Sequence, residues 1–304
     1  MGTFQALLDR LSTAPPSTYC QAFFLLAAAP IVALQFLPQD ARSALADYGA
    51  RRRHGVDSSL LGRVTAAGQL PHSYFWHFYL LSVGLSAFWA WQYFVRGSVL
   101  FLVADRQASL SGERSGDPGR VVLTWFMMAA QGGRRLYECF RVVKPGRTPM
   151  WFVHWALGLG FYSFMSVSVW VEASGGILES WQAPAVAVSW TWTSTFTLVL
   201  FLAAWLKQYE CHAYLASLKK YTFPDKGMFK YIVCPHYTCE CVIYLAISIM
   251  AAPPGKTFNV SVLCGLGLVL ANLGSTAQGT KHWYAAKFGA EKVASKWSII
   301  PGVL

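Results

Sequence analysis

Apolar residues run through this chain in long blocks of one size, separated by short polar breaks. Seven such blocks, at residues 19–37, 72–95, 121–140, 149–171, 183–206, 231–251 and 258–276, are each about 20 residues long, the length a helix needs to cross ~30 Å of hydrocarbon. They predict an all-α membrane protein with seven transmembrane helices in a single bundle. The breaks carry the residues of turns and loops. Gly112 to Gly119 reads GERSGDPG, Gly175-Gly176 closes a second connection, and Pro253-Pro254-Gly255 closes a third. No internal repeat is visible. Met1 to Thr18 lacks a basic stretch followed by an apolar core and a small-residue cleavage site, so the first block reads as a spanning helix rather than a signal peptide.

Composition agrees with the pattern. Of 304 residues, 55% are hydrophobic and only 13% charged, where a soluble domain carries nearer a quarter. Mean hydropathy is +0.37. The formal net charge of +11 would suggest nucleic acid in a soluble protein. In a membrane protein it reads as Lys and Arg crowding the cytosolic loops. Arg42, Arg51, Arg52, Arg53 and Arg63 follow the first block; Arg141, Lys144 and Arg147 follow the third; Lys207, Lys219, Lys220, Lys226 and Lys230 follow the fifth; Lys281, Lys287, Lys292 and Lys296 lie in the tail. The other side holds fewer: Arg10, Arg96, Arg106, Arg114, Arg120 and Lys256. This bias predicts a lumenal N-terminus and a cytosolic C-terminus. Arg51 to Arg53 reads as a run facing solvent or headgroups.

Chemistry enters where polar groups interrupt the apolar blocks, since an intramembrane ionisable residue is a functional-site hypothesis by default. In the third block Gln131, Arg134, Arg135 and Glu138 recur at helical spacing and share one face. That face is not in lipid. It is either an Arg–Glu brace or the wall of a site, and Arg suits anion recognition. At 71–79 the chain reads PHSYFWHFY. Most of this is an expected interfacial aromatic belt, but His77 and Tyr79 can each donate a hydrogen bond to a carbonyl.

The stretch KYIVCPHYTCECVIYL at 230–245 is the most unusual. Its cysteines tempt a metal reading, yet Cys239 and Cys241 point about 200° apart on a helix. No second Cys/His cluster completes a zinc pattern, and no metal is expected. Seven cysteines without framework spacing also argue against a disulfide scaffold. His236 and Glu240, by contrast, share a face at i, i+4, just after a Pro suited to a first helical turn. The 207–230 loop adds Lys207, Gln208, Glu210, His212, Lys219 and Lys220; the tail adds Lys281, His282, Trp283, Tyr284 and Lys287. Together these make a lining for a phosphate-rich, aromatic nucleotide. Neither GxGxxG after a strand nor GxxxxGK(S/T) is present, so a dinucleotide would bind in a helical membrane pocket.

The motifs PHSYFWHFY (71–79), QGGRRLYEC (131–139), ECHAYLASLKK (210–220), GMFKYIVCPHYTCECVIY (227–244), KHWYAAKF (281–288) and IIPGVL (299–304) resemble the steroid 5-alpha-reductase family, and within it the polyprenol (polyprenal) reductase branch. The resemblance covers the chain from about residue 70 onward. It implies a seven-helical, NADPH-dependent enzyme of the endoplasmic reticulum membrane, in a pathway that supports protein N-glycosylation. It implies cofactor contacts from Arg135, Gln208, His212, Lys219, His236, Tyr237, Glu240 and Tyr284, with His282 or Lys281 at a tail position that usually holds His. Residues 1–120 would form the lipid-substrate side, and 121–304 the cytosol-facing NADPH-binding region. Steroid-reducing members carry Tyr where this chain has Gly132, which argues against a steroid.

Hydride adds readily to an α,β-unsaturated carbonyl, because an acid on the oxygen stabilises the developing enolate. An allylic alcohol offers no such sink. The direct substrate is therefore expected to be polyprenal and the product dolichal, with His77, Tyr79, Glu138 and Glu240 as catalytic candidates. Net conversion of polyprenol to dolichol then requires coupling to a polyprenol/dolichal dehydrogenase. Two other readings stay open at this point: an isoprenylcysteine-type membrane methyltransferase, and a non-enzymatic lipid carrier or transporter.

Overall fold

The computed structural model describes residues 13–37, 68–112, 116–143, 149–182, 190–219 and 221–303. The arginines Arg42, Arg51, Arg52, Arg53 and Arg63, together with Arg10, Arg114, Lys144, Arg147 and Lys220, lie outside the described residues.

Each of the seven apolar blocks is built largely on a long helix. The helices are α1 (Pro16–Ala33), α2 (Trp76–Phe94), α3 (Ser98–Ser111), α4 (Pro118–Arg141), α5 (Phe152–Val171), α6 (Ser174–Ser180), α7 (Trp192–Ser217), α8 (Pro235–Met250), α9 (Val260–Phe288) and α10 (Glu291–Ala294). Pro opens α1, α4 and α8, where its missing N–H costs nothing. Side-chain caps start others: Asp117 accepts from Gly119 and Arg120 N–H, Thr191 from Ser194 N–H and Asn259 from Val262 N–H.

Among the described residues, three helical segments are long and apolar enough to cross a membrane: Pro16–Phe36, Phe152–Val171 and Val260–Phe288. A fourth crossing is reached if His72–Phe94 and Ser98–Ser111, bent by 83° at their junction, count as one broken span. The chain is a membrane protein. Helix α8, at 16 residues, is too short for this criterion, and the polar residues of α4 and α7 make them too polar for it.

Two departures from the sequence pattern matter. Residues 98–111, expected as loop, are helical, and the bend before them is made by Arg96 in the left-handed region (φ 52). Gln92 steadies the turn, its Oε1 accepting from Val99 and Leu100 N–H at 3.2 and 3.4 Å. Residues 207–217, also expected as loop, continue α7. They contain neither Gly nor Pro, so nothing stops the helix before Ser217. The tail motif at 281–288 likewise forms the last turns of α9.

The core gathers Phe24, Met127, Met165, Trp170, Ile177 and Ile247, all fully buried. Helices α7 and α8 pack most extensively on each other, as do α1 with α9 and α2 with α4. Arg120, in the first turn of α4, donates to the carbonyls of Ile249 and Met250 at the end of α8 (2.6 and 3.0 Å). The start of α4 and the end of α8 therefore lie at one end of the bundle.

At the site end, two short pieces of extended backbone tie loops together. Strands β1 (Gln69–Leu70) and β2 (Met150–Trp151) pair antiparallel ahead of α2 and α5. The C-terminal tail forms a strap across the entrance to α8. Val233 and Cys234 N–H donate to Trp297 and Ser298 carbonyls (2.8 and 3.1 Å), Trp297 N–H to Tyr231 (2.9 Å), and Thr238 Oγ1 to the carbonyl of the fully buried Ile299 (2.5 Å). Lys296 Nζ donates to the Phe229 carbonyl (2.6 Å) and Lys281 Nζ to that of Lys296 (2.5 Å). Burial pulls the Lys296 ammonium below the ordinary lysine range.

Candidate active site

The polar face of α4 meets α7, α8 and the start of α2 in one continuous network. Gln131 Nε2 donates to Gln208 Oε1 and Glu240 Oε2, both at 3.0 Å. Gln208 Nε2 donates to Glu240 and, at 3.0 Å, to the His236 carbonyl. Arg134 donates to Gln131 Oε1 (2.7 Å), to Gln208 and to Glu138 Oε1 (2.9 Å), and its guanidinium lies 5.0 Å from the Trp205 ring. Arg135 donates to Glu138 and, through Nη2, to the Tyr79 hydroxyl at 2.9 Å. The helical spacing of these residues delivers them to one side, and each pairing removes a charge or amide from hydrocarbon.

Glu138 is fully buried, with both oxygens committed. His212 Nδ1 lies 2.7 Å from Glu138 Oε2. A carboxylate only accepts, so Nδ1 carries the proton and Nε2 is the open nitrogen. The 2.9 Å approach of Arg135 Nη1 to the same Nδ1 is then a packing contact.

Tyr79, Arg135, Gln208, His212, Tyr237 and Glu240 line one cavity of about 280 Å³. Six of the residues singled out in the sequence thus meet on its polar wall. The rest of the lining is largely apolar and aromatic, including Phe75, Phe78, Phe161, Leu268 and Val269. Glu138 sits behind this wall rather than on it. His236 adjoins it, with ring centroids 4.2 Å from Tyr237 and 5.4 Å from His212, and its buried Nδ1 has no hydrogen-bond partner.

The remaining candidates stand apart from the cavity lining. His77 Nδ1 accepts from Trp155 Nε1 at 3.1 Å. Lys219 and His282 are exposed, while Lys281 is turned inward to the strap. Tyr284 belongs to an aromatic group at the end of α9, 5.3 Å from Phe223 and 5.9 Å from Phe288.

Sequence reasoning missed Tyr162, Tyr244, His154 and Asn272, which also line the cavity. A signal existed for Tyr244, one helical turn beyond Glu240 on the same face. Tyr162 is hidden in an aromatic-rich apolar span, where spacing cannot distinguish it from its neighbours.

Gly132 faces away from the cavity. A Cβ there would lie 2.9 Å from Ser82 Oγ and 3.2 Å from Val83 Cγ2. The position is a close approach of α4 to α2, with no room for a tyrosine ring. Among the described residues no cluster of His, Cys, Asp or Glu is arranged to hold a metal ion. Cys239 and Cys241 are buried packing residues and free thiols.

Comparison with known proteins adds an independent line. The family described as 3-oxo-5-alpha-steroid 4-dehydrogenase matches residues 158–304. Similar curated proteins include a polyprenal reductase of Xenopus laevis, 27% identical over 60% of this chain and 62% of that protein. Polyprenal reductase 1 of Arabidopsis thaliana is 37% identical over 34% of this chain and 33% of that protein. A polyprenal reductase of Saccharomyces cerevisiae is 24% identical over 94% of both chains. The first two matches thus span less than two thirds of those relatives' length, and the yeast match nearly all of it.

Proposed function

We propose that this chain, whose residues 158–304 match the family described as 3-oxo-5-alpha-steroid 4-dehydrogenase, is a member of the steroid 5-alpha-reductase family and a polyprenal reductase that saturates the α-isoprene double bond of polyprenal to give dolichal. NADPH supplies the hydride when bound. The observation that carries the reading is the Tyr79–Arg135 pair on the polar wall of an otherwise apolar cavity. Arg135 donates into one lone pair of the phenolic oxygen, so the Tyr79 O–H must point to some other acceptor. A substrate aldehyde oxygen is such an acceptor. As negative charge develops there, Tyr79 delivers its proton and the Arg135 guanidinium stabilises the phenolic oxygen.

The donor set fits a nicotinamide dinucleotide. Gln208 and Glu240 offer an amide and a carboxylate suited to a carboxamide. His212 presents an open Nε2, and the unpartnered Nδ1 of His236 is a buried group awaiting a ligand. Tyr237 and Tyr284 supply aromatic surface, and Lys219, Lys281 and His282 lie toward the charged end. Glu138 acts through Arg135 and His212, as a positioning residue.

We place the protein in the endoplasmic reticulum membrane as a multi-pass protein, N-terminus lumenal and C-terminus cytosolic, with an alcohol dehydrogenase activity supplying polyprenal and consuming dolichal. The test is tritide transfer from labelled NADPH to polyprenal by purified protein, with Glu240→Gln as control. Tritium is expected in dolichal, with a strong loss in the variant. No transfer by the intact protein would overturn the reading. Reduction of polyprenol but never polyprenal would overturn the enal step. Tight binding of S-adenosylmethionine in place of NADPH would favour a methyltransferase.

A further inference from the structure

The cavity is too small to hold a long isoprenoid. Its volume of about 280 Å³ is at the lower end of what small-molecule pockets enclose, and part of it must accommodate the hydride donor. A chain of many isoprene units therefore has to leave the cavity through its wall. Exposure along the lining shows where. Phe78, Tyr79, Met150, Gln208, Tyr244, Leu268 and Val269 are buried and the other lining residues partly so, and Asn272 alone among them is exposed, with Leu273 beside it on α9 and Leu157 on α5 half-buried. These three stand on α5 and α9, two of the three segments apolar enough to cross a membrane. The wall thus opens between two lipid-compatible helices.

Asn272 is the unusual residue of this opening. It lies about 18 Å along α9 from Val260 at the usual helical rise, among Leu268, Val269, Leu270 and Leu273. Its carboxamide makes no side-chain hydrogen bond among the described residues, and an amide facing hydrocarbon is unfavourable. Something polar has to pass or rest there.

We propose that polyprenal enters from the bilayer through the mouth between α5 and α9, that its hydrocarbon tail stays in that mouth during reduction, and that the Asn272 amide N–H receives the terminal oxygen as it passes inward. This deepens the proposed function and rests on it. Leu157 and Asn272 then set which substrates are admitted: an oxygen-bearing head, followed by a tail of any length.

Two measurements test this on the full-length protein in bilayer nanodiscs. The first compares a two-isoprene enal, whose tail is too short to reach far into the mouth, with a long-chain polyprenal. In Leu157→Trp the ratio of kcat/KM, long over short, is expected to fall at least tenfold. In Asn272→Leu the KM for the long enal is expected to rise about fivefold, the scale of one lost hydrogen bond, and Asn272→Ser is expected to recover part of it. An unchanged ratio in Leu157→Trp together with an unchanged KM in Asn272→Leu would overturn the proposal.

The second measurement needs no turnover. A farnesyl alcohol carrying a photoreactive diazirine at its tail end is expected to label residues of α5 or α9 around the mouth, and long-chain polyprenol is expected to compete. Labelling confined to other helices would overturn the mouth. If neither enal is reduced by the intact protein, the functional reading fails, while competed labelling at the mouth would still uphold the isoprenoid entrance.

Discussion

Glu138, itself fully buried, binds Arg134 through one oxygen and meets Arg135 and His212 through the other. Removing one partner of a buried ion pair strands the remaining charge, at about 3–5 kcal/mol. Glu138→Ala is therefore expected to lower the detergent-solubilised unfolding temperature markedly, and a thermal shift near zero would contradict the network. Tyr79→Phe removes one oxygen from the cavity and keeps the ring under Arg135, 4.9 Å from its centroid. It is expected to lower kcat/KM for polyprenal about 100-fold, the scale of a general acid, with NADPH affinity changed less than about threefold. Residue types and spacing singled out Tyr79, Arg135 and Glu240, because polar groups in apolar blocks are conspicuous, and Gln208 among the polar residues following the fifth block. They could not tell that Glu138 lies behind the wall and Tyr79 on it. That depends on the rotation of α4 against α2, which Gly132 permits by bringing the two helices close.

At the scale of elements, the strap of residues 296–300 fixes the start of α8, whose first two turns carry His236, Tyr237 and Glu240. Thr238 is its side-chain anchor, donating to the Ile299 carbonyl. Thr238→Val is expected to cost about 1 kcal/mol and to raise the KM for NADPH more than that for polyprenal. Deleting residues 296–304 is expected to abolish turnover and to open the 221–234 segment to protease; full activity of the truncated chain would rule out a positioning role for the strap. This clasp was not legible in the sequence. Every acceptor in it is a backbone carbonyl, and all but the Lys281 bond join segments more than sixty residues apart, so no side-chain pairing marks it in the sequence. Helix existence was legible nearly everywhere, since apolar block length encodes it. The 83° break before α3 was not, because it rests on one left-handed Arg and on Gln92 folding back over the turn.

Across the whole molecule, apolarity is distributed unequally. The segments Pro16–Phe36, Phe152–Val171 and Val260–Phe288 are the most apolar, while α4, α7 and α8 turn their polar residues toward one another and the cavity. The charge bias predicts that the end bearing the strap and the exposed Lys219 and His282 faces the cytosol. In sealed microsomes, a cysteine introduced at exposed Lys219 is expected to react with a membrane-impermeant maleimide from outside, and one introduced at Lys256 only after permeabilisation. The reverse result would invert the topology.

The self-neutralised cluster on α4 also bears on how the chain is made. Two arginines and a glutamate on one helix resist entry into lipid, at roughly 2.5–3.5 kcal/mol for each arginine near the bilayer centre. Glu138 offsets part of that from within the same helix. Tyr79 precedes it in the chain, but Gln208 and His212 lie 74 to 77 positions downstream. At ordinary translation rates that is a delay of roughly 4–15 s. Full pairing of the α4 cluster therefore has to wait until α7 has been synthesised.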